Sequence, residues 1–260
     1  YHVPKTAGLT FRNAIMFGML ARRKASAGKE FNKEVEAVFK WDEDYSKEIL
    51  SKGYDFVSAW KPFGFHSEFA QDFNLVTVVR EPFERIVSRF RYNCHMAGTE
   101  FNEAEFEAFF RNEKQINHQT KMLSGVGDTK NVTDAELQMA KDNLSTFYAY
   151  TTIDKINELI VELISQYNLP NVIGEKSNVS LAKHTMDWEQ YRAEINKLNQ
   201  MDQQLFDHVR ENPKHPDVMI NTDQTVSELT NVIFERGEDN NFKCGFASTE
   251  VLVGTLDPVP

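Results

Sequence analysis

A lysine stands in a short polar loop at the start of the chain, in the run Pro4-Lys5-Thr6-Ala7-Gly8-Leu9-Thr10. A short apolar lead precedes the loop, and a helix-like segment follows it from Phe11. A strand, a tight loop and a helix N-terminus in this order predict an anion site, because backbone N–H groups, the helix dipole and the lysine charge converge there. The loop differs from a Walker A loop, since its lysine precedes the glycine.

A second anion site is predicted where an apolar, β-branched strand over residues 74–79 ends. Pro82 suits the first turn of a helix, so Arg80 is expected at the carboxyl edge of the strand. Arginine offers a planar fork that matches phosphate oxygens, so Arg80 and Ser88 are predicted to clamp a phosphate. Arg85 is instead expected to pair with a carboxylate. The helix has an apolar stripe of Phe83, Ile86, Val87 and Phe90, and an opposite face of Arg85, Ser88, Arg89 and Tyr92.

These two motifs resemble the nucleotide-binding motifs of sulfotransferases that use 3′-phosphoadenosine 5′-phosphosulfate (PAPS). Pro-Lys-Thr-Ala-Gly-x-Thr at residues 4–10 is similar to the motif that holds the 5′-phosphosulfate. Arg-x-Pro-x-x-Arg-x-x-Ser at residues 80–88 is similar to the motif that holds the 3′-phosphate. The resemblance points to the branch that contains the carbohydrate 2-O-sulfotransferases and their bacterial relatives. Weaker similarities extend it over nearly the whole chain, at residues 117–125, 177–180 and 198–206.

The resemblance implies transfer of a sulfuryl group from PAPS to an acceptor hydroxyl, on a carbohydrate, with PAP as product and no metal. Lys5 is expected to act catalytically, by stabilising the charge that develops on the oxygen bridging sulfur to the nucleotide. The residues implied to bind the nucleotide are Pro4, Lys5, Thr6, Ala7, Gly8, Leu9, Thr10, Arg80, Ser88 and Asn178.

The segment expected to carry the general base departs from the family pattern. Relatives carry a Gly-His pair just ahead of a Pro-Phe-Gly stretch, and here Trp60 occupies the histidine position. His66 is the first candidate for a catalytic base, with a structural or surface role as its alternative. Lys61 and Glu68 remain further options. Trp60 and Phe63 are alternatively expected to form an apolar or sugar-stacking wall of the acceptor site.

The charge balance argues against nucleic acid as a partner, since the formal net charge is −10 and such binding depends on Lys and Arg. The histidines and cysteines show no metal-binding spacing. No transmembrane helix or signal peptide is recognisable. However, the chain opens at Tyr1 almost directly at the loop, so a lost N-terminal leader or anchor stays open. The cytoplasm and the Golgi lumen both stay open as compartments, and so does the oligomeric state.

Strands alternating with helices predict an α/β fold: a P-loop-like three-layer sandwich with a central, mainly parallel sheet flanked by helices. Strands are expected over 54–60, 74–79 and 147–152, and a capping box at Thr133 and Glu136 starts a helix. Residues 22–53 are interpreted as mostly helix-prone, and one long helix is expected over 187–212. The chain is expected to form a single domain over 1–260, with an irregular tail, carrying at most one short strand, over about 237–260.

Two other functions remain open. A catalytically degenerate module of the same fold would bind a nucleotide or a glycan without turnover, and the tryptophan at position 60 keeps this alternative open. A P-loop kinase-like enzyme is the second alternative, although it should show Gly-Lys-Ser/Thr, which the loop lacks.

Overall fold

The computed structural model describes residues 6, 11–12, 14–15, 18–19, 36–39, 50–51, 54, 56–69, 71–129, 131–169, 186–216, 232–236 and 242–246. The strands are β1 (Glu36–Phe39), β2 (Phe56–Ala59), β3 (Val76–Val79), β4 (Ala149–Thr152), β5 (Val232–Arg236) and β6 (Phe242–Phe246). The α-helices that lie wholly within the described residues are α1 (Pro82–Ala97), α2 (Glu103–Phe110), α3 (His118–Ser124), α4 (Asp134–Ser145), α5 (Ile156–Gln166), α6 (Arg192–Leu198) and α7 (Gln200–Glu211). Short 3-10 turns occupy Phe65–Glu68, Gly127–Thr129, Ile153–Lys155 and Trp188–Tyr191.

Parallel pairing dominates the described strands. β1 pairs with β2, and β3 pairs with β4 so that Val79 stands opposite Thr152. Helices α1 to α4 connect β3 to β4, as a parallel crossover requires. β5 and β6 form an antiparallel pair, and β6 lies within the segment expected to be an irregular tail. The mixture of helices with short parallel sheets fits an α/β fold.

Two of the expectations about elements are wrong. Residues 36–39 form β1, although the charged segment around them reads as helix-prone. The single helix expected over 187–212 is divided into the turn Trp188–Tyr191, α6 and α7. The division falls at Asn199, where the backbone leaves helical geometry and the side-chain Nδ2 donates to the carbonyl of Ile195. An asparagine that bonds nearby backbone groups competes with the helical ladder, which explains the break.

Helix starts follow the capping chemistry expected from the sequence. α1 begins with Pro82, and the Glu81 carboxylate accepts a hydrogen bond from the Glu84 backbone N–H at 2.8 Å. The predicted capping box at Thr133 and Glu136 starts α4, and Asn102 caps α2. These caps satisfy N–H groups that the first helical turn leaves without partners.

The core holds β3 and α1 in place from several sides. Val78 packs with the apolar stripe of α5, and Val79 packs with residues from α3, α4 and α7. On α1, Phe83 and Phe90 pack against α2 and α6 in a separate apolar cluster. The junction between β3 and α1 is therefore supported by packed helices. Within the described residues, no helix combines the length and apolarity that a membrane span needs.

Candidate active site

Arg80 follows the last residue of β3 and precedes the cap of α1. Its backbone N–H donates to Oε1 of Gln119 at 2.9 Å, and its carbonyl accepts a hydrogen bond from Nε2 of the same side chain at 2.7 Å. One amide group thus bonds both backbone polar groups of Arg80. The position expected from the sequence, at the carboxyl end of the strand, is confirmed.

Helices α3 and α7 cap each other beside this junction. The Asn117 side chain accepts hydrogen bonds from the backbone N–H groups of Met201 and Asp202 at the start of α7. In return, the Asp202 carboxylate accepts the backbone N–H groups of Gln119 and Thr120, at 3.1 and 2.7 Å, and the Thr120 hydroxyl. Asp202 is completely buried. The exchange ties the first turn of α3, and with it Gln119, to α7.

The Arg80 guanidinium is in a mostly buried, partly basic environment. Its side chain is 23% exposed and lies 3.4 Å from the Glu84 carboxylate. Burial lowers the pKa of Arg80, while Glu84 and Glu81 oppose that change and nearby Arg91 adds to it. A guanidinium stays protonated after such a change, so Arg80 presents positive charge at the end of β3.

An ion-pair network joins the start of α1 to the segment after residue 187. Arg192 contacts Glu81 at 3.3 Å and Glu84 at 3.4 Å, bonds Glu189 at 2.6 Å, and lies 3.9 Å from the ring centre of Phe83. Hydrogen bonding to Glu189 raises the pKa of Arg192. These pairs are partly or fully exposed, so each contributes little to stability. The network orients the two carboxylates next to Arg80.

Ser88 and Arg85 lie on α1 in different surroundings. Ser88 is partly exposed, whereas Arg85 is 1% exposed and donates from Nη2 to the carbonyl of Gln115 at 2.8 Å. Burial lowers the pKa of Arg85 to about 10, and the nearby Asp202 carboxylate opposes the change. The hydrogen-bond partner of Arg85 is therefore a carbonyl rather than the expected carboxylate. Arg85 is buried and bonds the protein interior. Arg80 and Ser88 therefore stay the candidate phosphate ligands on this segment.

Thr6 and His66 line one cavity of about 330 Å³ between β2 and β3, together with Arg12. Thr6 is 1% exposed. Burial lowers the pKa of His66, so the imidazole is neutral near pH 7. Within the described residues, its Nδ1 is buried without a hydrogen-bond partner. A neutral imidazole beside a cavity has the protonation state that a general base needs.

The loop from Trp60 to His66 rests on α3. The Phe63 backbone N–H donates to the carbonyl of Met122 at 2.8 Å, and the Phe63 ring stacks on Phe147 at 5.8 Å between centroids. Phe63 thereby packs against the apolar core while it stays partly exposed, and its place in a wall of the acceptor site stays a prediction. Trp60 is partly exposed.

Several residues implied by the resemblance lie outside the described residues, namely Pro4, Lys5, Ala7, Gly8, Leu9, Thr10 and Asn178. The structure therefore places Thr6 and His66 at one cavity, whereas Arg80 immediately precedes the cap of α1 and Ser88 lies within that helix. In the described part of the chain, no group of three or more His, Cys, Asp or Glu side chains is arranged to hold a metal ion.

Sequence reasoning did not assign a role to Gln119, Asn117 or Asp202, which organise the Arg80 junction. All three stand in the segments 117–125 and 198–206 that resemble sulfotransferase sequences only weakly. Polar residues at the starts of two helices were the available signal, because such positions commonly supply caps. The pairing between these distant segments is a tertiary feature that spacing along the chain does not reveal.

Comparison with known proteins identifies the class to which this fold and site belong. A family model described as "Sulfotransferase family" matches residues 1–209 of the 260 in the chain. The chain belongs to the sulfotransferase family, a class of transferases whose general chemistry is sulfuryl transfer to an acceptor hydroxyl. Comparison with curated proteins found no match.

Proposed function

We propose that the protein transfers a sulfuryl group from PAPS to a carbohydrate hydroxyl by in-line displacement. The observation that carries this proposal is the junction at Arg80, where one buried amide holds the backbone of an arginine in an Arg-x-Pro-x-x-Arg-x-x-Ser motif. Arg80 and Ser88 bind the 3′-phosphate, which AMP and ATP lack. Asn178 contributes to the same nucleotide site by resemblance. The carbohydrate acceptor likewise rests on resemblance to the 2-O-sulfotransferase branch.

Catalysis in this proposal depends on position and charge. In-line sulfuryl transfer, like phosphoryl transfer, needs stabilisation of the leaving oxygen and alignment of the nucleophile. The loop Pro4-Lys5-Thr6-Ala7-Gly8-Leu9-Thr10 binds the 5′-phosphosulfate, and Lys5 stabilises the negative charge on the departing bridging oxygen. His66 accepts the proton of the acceptor hydroxyl. The buried position of Thr6 and the neutral state of His66 at one cavity support this division of roles.

The proposed architecture is a P-loop-like three-layer sandwich that forms one domain over residues 1–260. The parallel pairs β1–β2 and β3–β4 support a mainly parallel sheet, and α5 packs against Val78 of β3. The two phosphate sites then lie at the carboxyl ends of strands, where ligands bind in open α/β sheets.

Calorimetric titration with PAP and with AMP tests the proposal, because the two nucleotides differ only in the 3′-phosphate. With a chelator present, the wild type should bind PAP at least about tenfold more tightly than AMP. Arg80→Ala should abolish that preference and leave AMP binding unchanged, whereas Lys5→Ala should weaken both nucleotides. Arg210→Ala is the matched control, since Arg210 forms an exposed pair with Asp207 on α7.

A wild type without preference for PAP would contradict the proposed nucleotide site. Transfer of labelled sulfuryl groups from PAPS to a panel of mono- and oligosaccharides then tests turnover. Tight PAP binding without transfer to any acceptor hydroxyl would instead support the degenerate nucleotide-binding module.

A further inference from the structure

We propose that Gln119 is a positioning residue for Arg80, through which the contact between α3 and α7 sets discrimination of the 3′-phosphate. This inference rests on the proposed function, because it concerns the same nucleotide site. Gln119 does not touch the nucleotide in this proposal. It determines where the Arg80 side chain starts and in which direction it leaves the backbone.

The Gln119 amide takes the hydrogen-bonding place that a peptide group of a neighbouring strand would occupy beside Arg80. The ladder between β3 and β4 ends with Val79 opposite Thr152, and Arg80 comes next. A side-chain amide carries a donor and an acceptor in one plane, as a peptide group does. Its two bonds, 2.9 Å to the N–H and 2.7 Å to the carbonyl, pair both backbone polar groups of the residue that follows the strand. The Cα–Cβ direction of Arg80 is fixed as a result.

Gln119 is held through its backbone as well as through its side chain. It is completely buried, and its backbone N–H donates to Oδ2 of Asp202 at 3.1 Å. Asp202 belongs to the first turn of α7, whose own N–H groups bond the Asn117 side chain. A displacement of α7 therefore moves the amide that sets Arg80.

Burial makes a purely space-filling role for Gln119 unfavourable. Removing an amide from water costs free energy unless its polar atoms form hydrogen bonds, whereas burying a methionine of similar volume carries no such cost. Both side-chain polar atoms of Gln119 bond Arg80 and no other residue in the described part of the chain. The placement of Arg80 explains the presence of an amide here.

A double-mutant cycle between Gln119→Met and Arg80→Ala tests the inference by calorimetry with PAP and AMP. Gln119→Met should weaken PAP binding about tenfold and leave AMP binding within about twofold, because only the 3′-phosphate contact depends on Arg80. In the Arg80→Ala background, Gln119→Met should cause no further loss of PAP affinity. Gln138→Met is the matched control, because it makes the same substitution on the exposed face of α4, where Gln138 donates to Asp142, and it should leave the binding of both nucleotides unchanged.

The outcomes separate a positioning role from a structural one. Equal weakening of PAP and AMP, or a loss that persists in the Arg80→Ala background, would overturn the inference. Should Gln119→Met unfold, Gln119→Glu offers the same comparison, because it keeps the acceptor but not the donor to the Arg80 carbonyl. If Arg80→Ala abolishes the wild-type preference for PAP but Gln119→Met keeps it, this inference is overturned while the proposed function stands. Absence of that preference in the wild type would overturn the proposed function and this inference together.

Discussion

Arg80 and His66 show how the same effect of burial leaves one side chain charged and another neutral. Both have pKa values lowered by burial. Because the ordinary pKa of arginine is far above neutrality, Arg80 stays charged and able to bind phosphate. The ordinary pKa of histidine is near 6.5, so the same effect keeps His66 neutral and able to accept a proton. Burial therefore suits each residue to its proposed role.

The titration of His66 can be measured directly by NMR. Its imidazole should titrate below 6.5, because burial disfavours the protonated ring. Transfer activity should consequently rise as the pH increases through that lowered pKa and remain level above it. His66→Gln assigns the resonance, and exposed His95 provides an internal comparison. A His66 titration midpoint above 6.5 would contradict the expected neutral base.

Loss of the proposed base should be visible in turnover without loss of nucleotide binding. His66→Ala should lower the transfer rate by about 10²–10⁴-fold, the range typical of general base catalysis. PAP affinity should be unchanged, since the base contacts the acceptor. A variant with wild-type turnover would assign the proton transfer elsewhere, with Lys61 and Glu68 as the next candidates.

The mutual caps of α3 and α7 are the contact between elements on which the site depends most. The helices lie far apart in sequence, yet each provides the side chain that satisfies the first N–H groups of the other. Without these caps, the backbone N–H groups of the first helical turns would be buried away from water with no hydrogen-bond acceptor. The caps therefore stabilise the pair and also hold Gln119 at the end of β3.

Removing the shared cap should reveal its contribution to stability. Asp202→Ala leaves two backbone N–H groups and the Thr120 hydroxyl without their acceptor in a buried place, so the free energy of unfolding should fall by about 3 kcal/mol or more. Thr133→Ala removes a more exposed cap of α4 and should cost only about 1 kcal/mol. Urea denaturation of the two variants makes the comparison. Equal losses in the free energy of unfolding would contradict the larger contribution expected of the Asp202 cap.

Gly125 ends α3 at a point where the helix lies close to the loop that carries His66. Its φ is +87°, and a Cβ atom there would stand 2.9 Å from the Phe63 carbonyl oxygen. Gly98 ends α1 with φ +64° and has open space around the same position. Gly98→Ala should therefore cost about 1 kcal/mol for the left-handed backbone alone, and Gly125→Ala at least about 1 kcal/mol more. Thermal unfolding tests the difference, which would vanish if the loop could move away freely.

Charge is distributed unevenly over the whole molecule. The chain has a formal net charge of −10, yet arginines 80, 85, 89 and 91 lie within or just before α1. An acidic protein with a local basic region can attract an anionic nucleotide while it disfavours nucleic acid as a whole. Recognition of the donor is therefore expected to depend on this local region.

Nucleotide binding should stabilise the folded protein as a unit, because the proposed sites join β3, α1 and the opening loop. At a PAP concentration 100 times its Kd, the stabilisation is about 2.7 kcal/mol. For a domain of this size the melting temperature should rise by about 5–10 °C, with or without a chelator. Equimolar AMP should produce a smaller rise. Equal rises with the two nucleotides would contradict a 3′-phosphate site.

Local sequence features were sufficient to predict the elements around Arg80. The strand before Arg80, the helix start at Pro82 and the capping box at Thr133 follow from propensity and capping, which act between near neighbours. The two phosphate motifs also predicted the family that the comparison shows. Strand β1 escaped prediction because it depends on β2 as its partner. At the break, Asn199 bonds nearby Ile195 and also accepts a hydrogen bond from the backbone N–H of Asn117, a partner that is far away in sequence. Only the tertiary structure brings Gln119 to Arg80 and Asp202 to α3, since such hydrogen bonds form between residues that the chain itself keeps far apart.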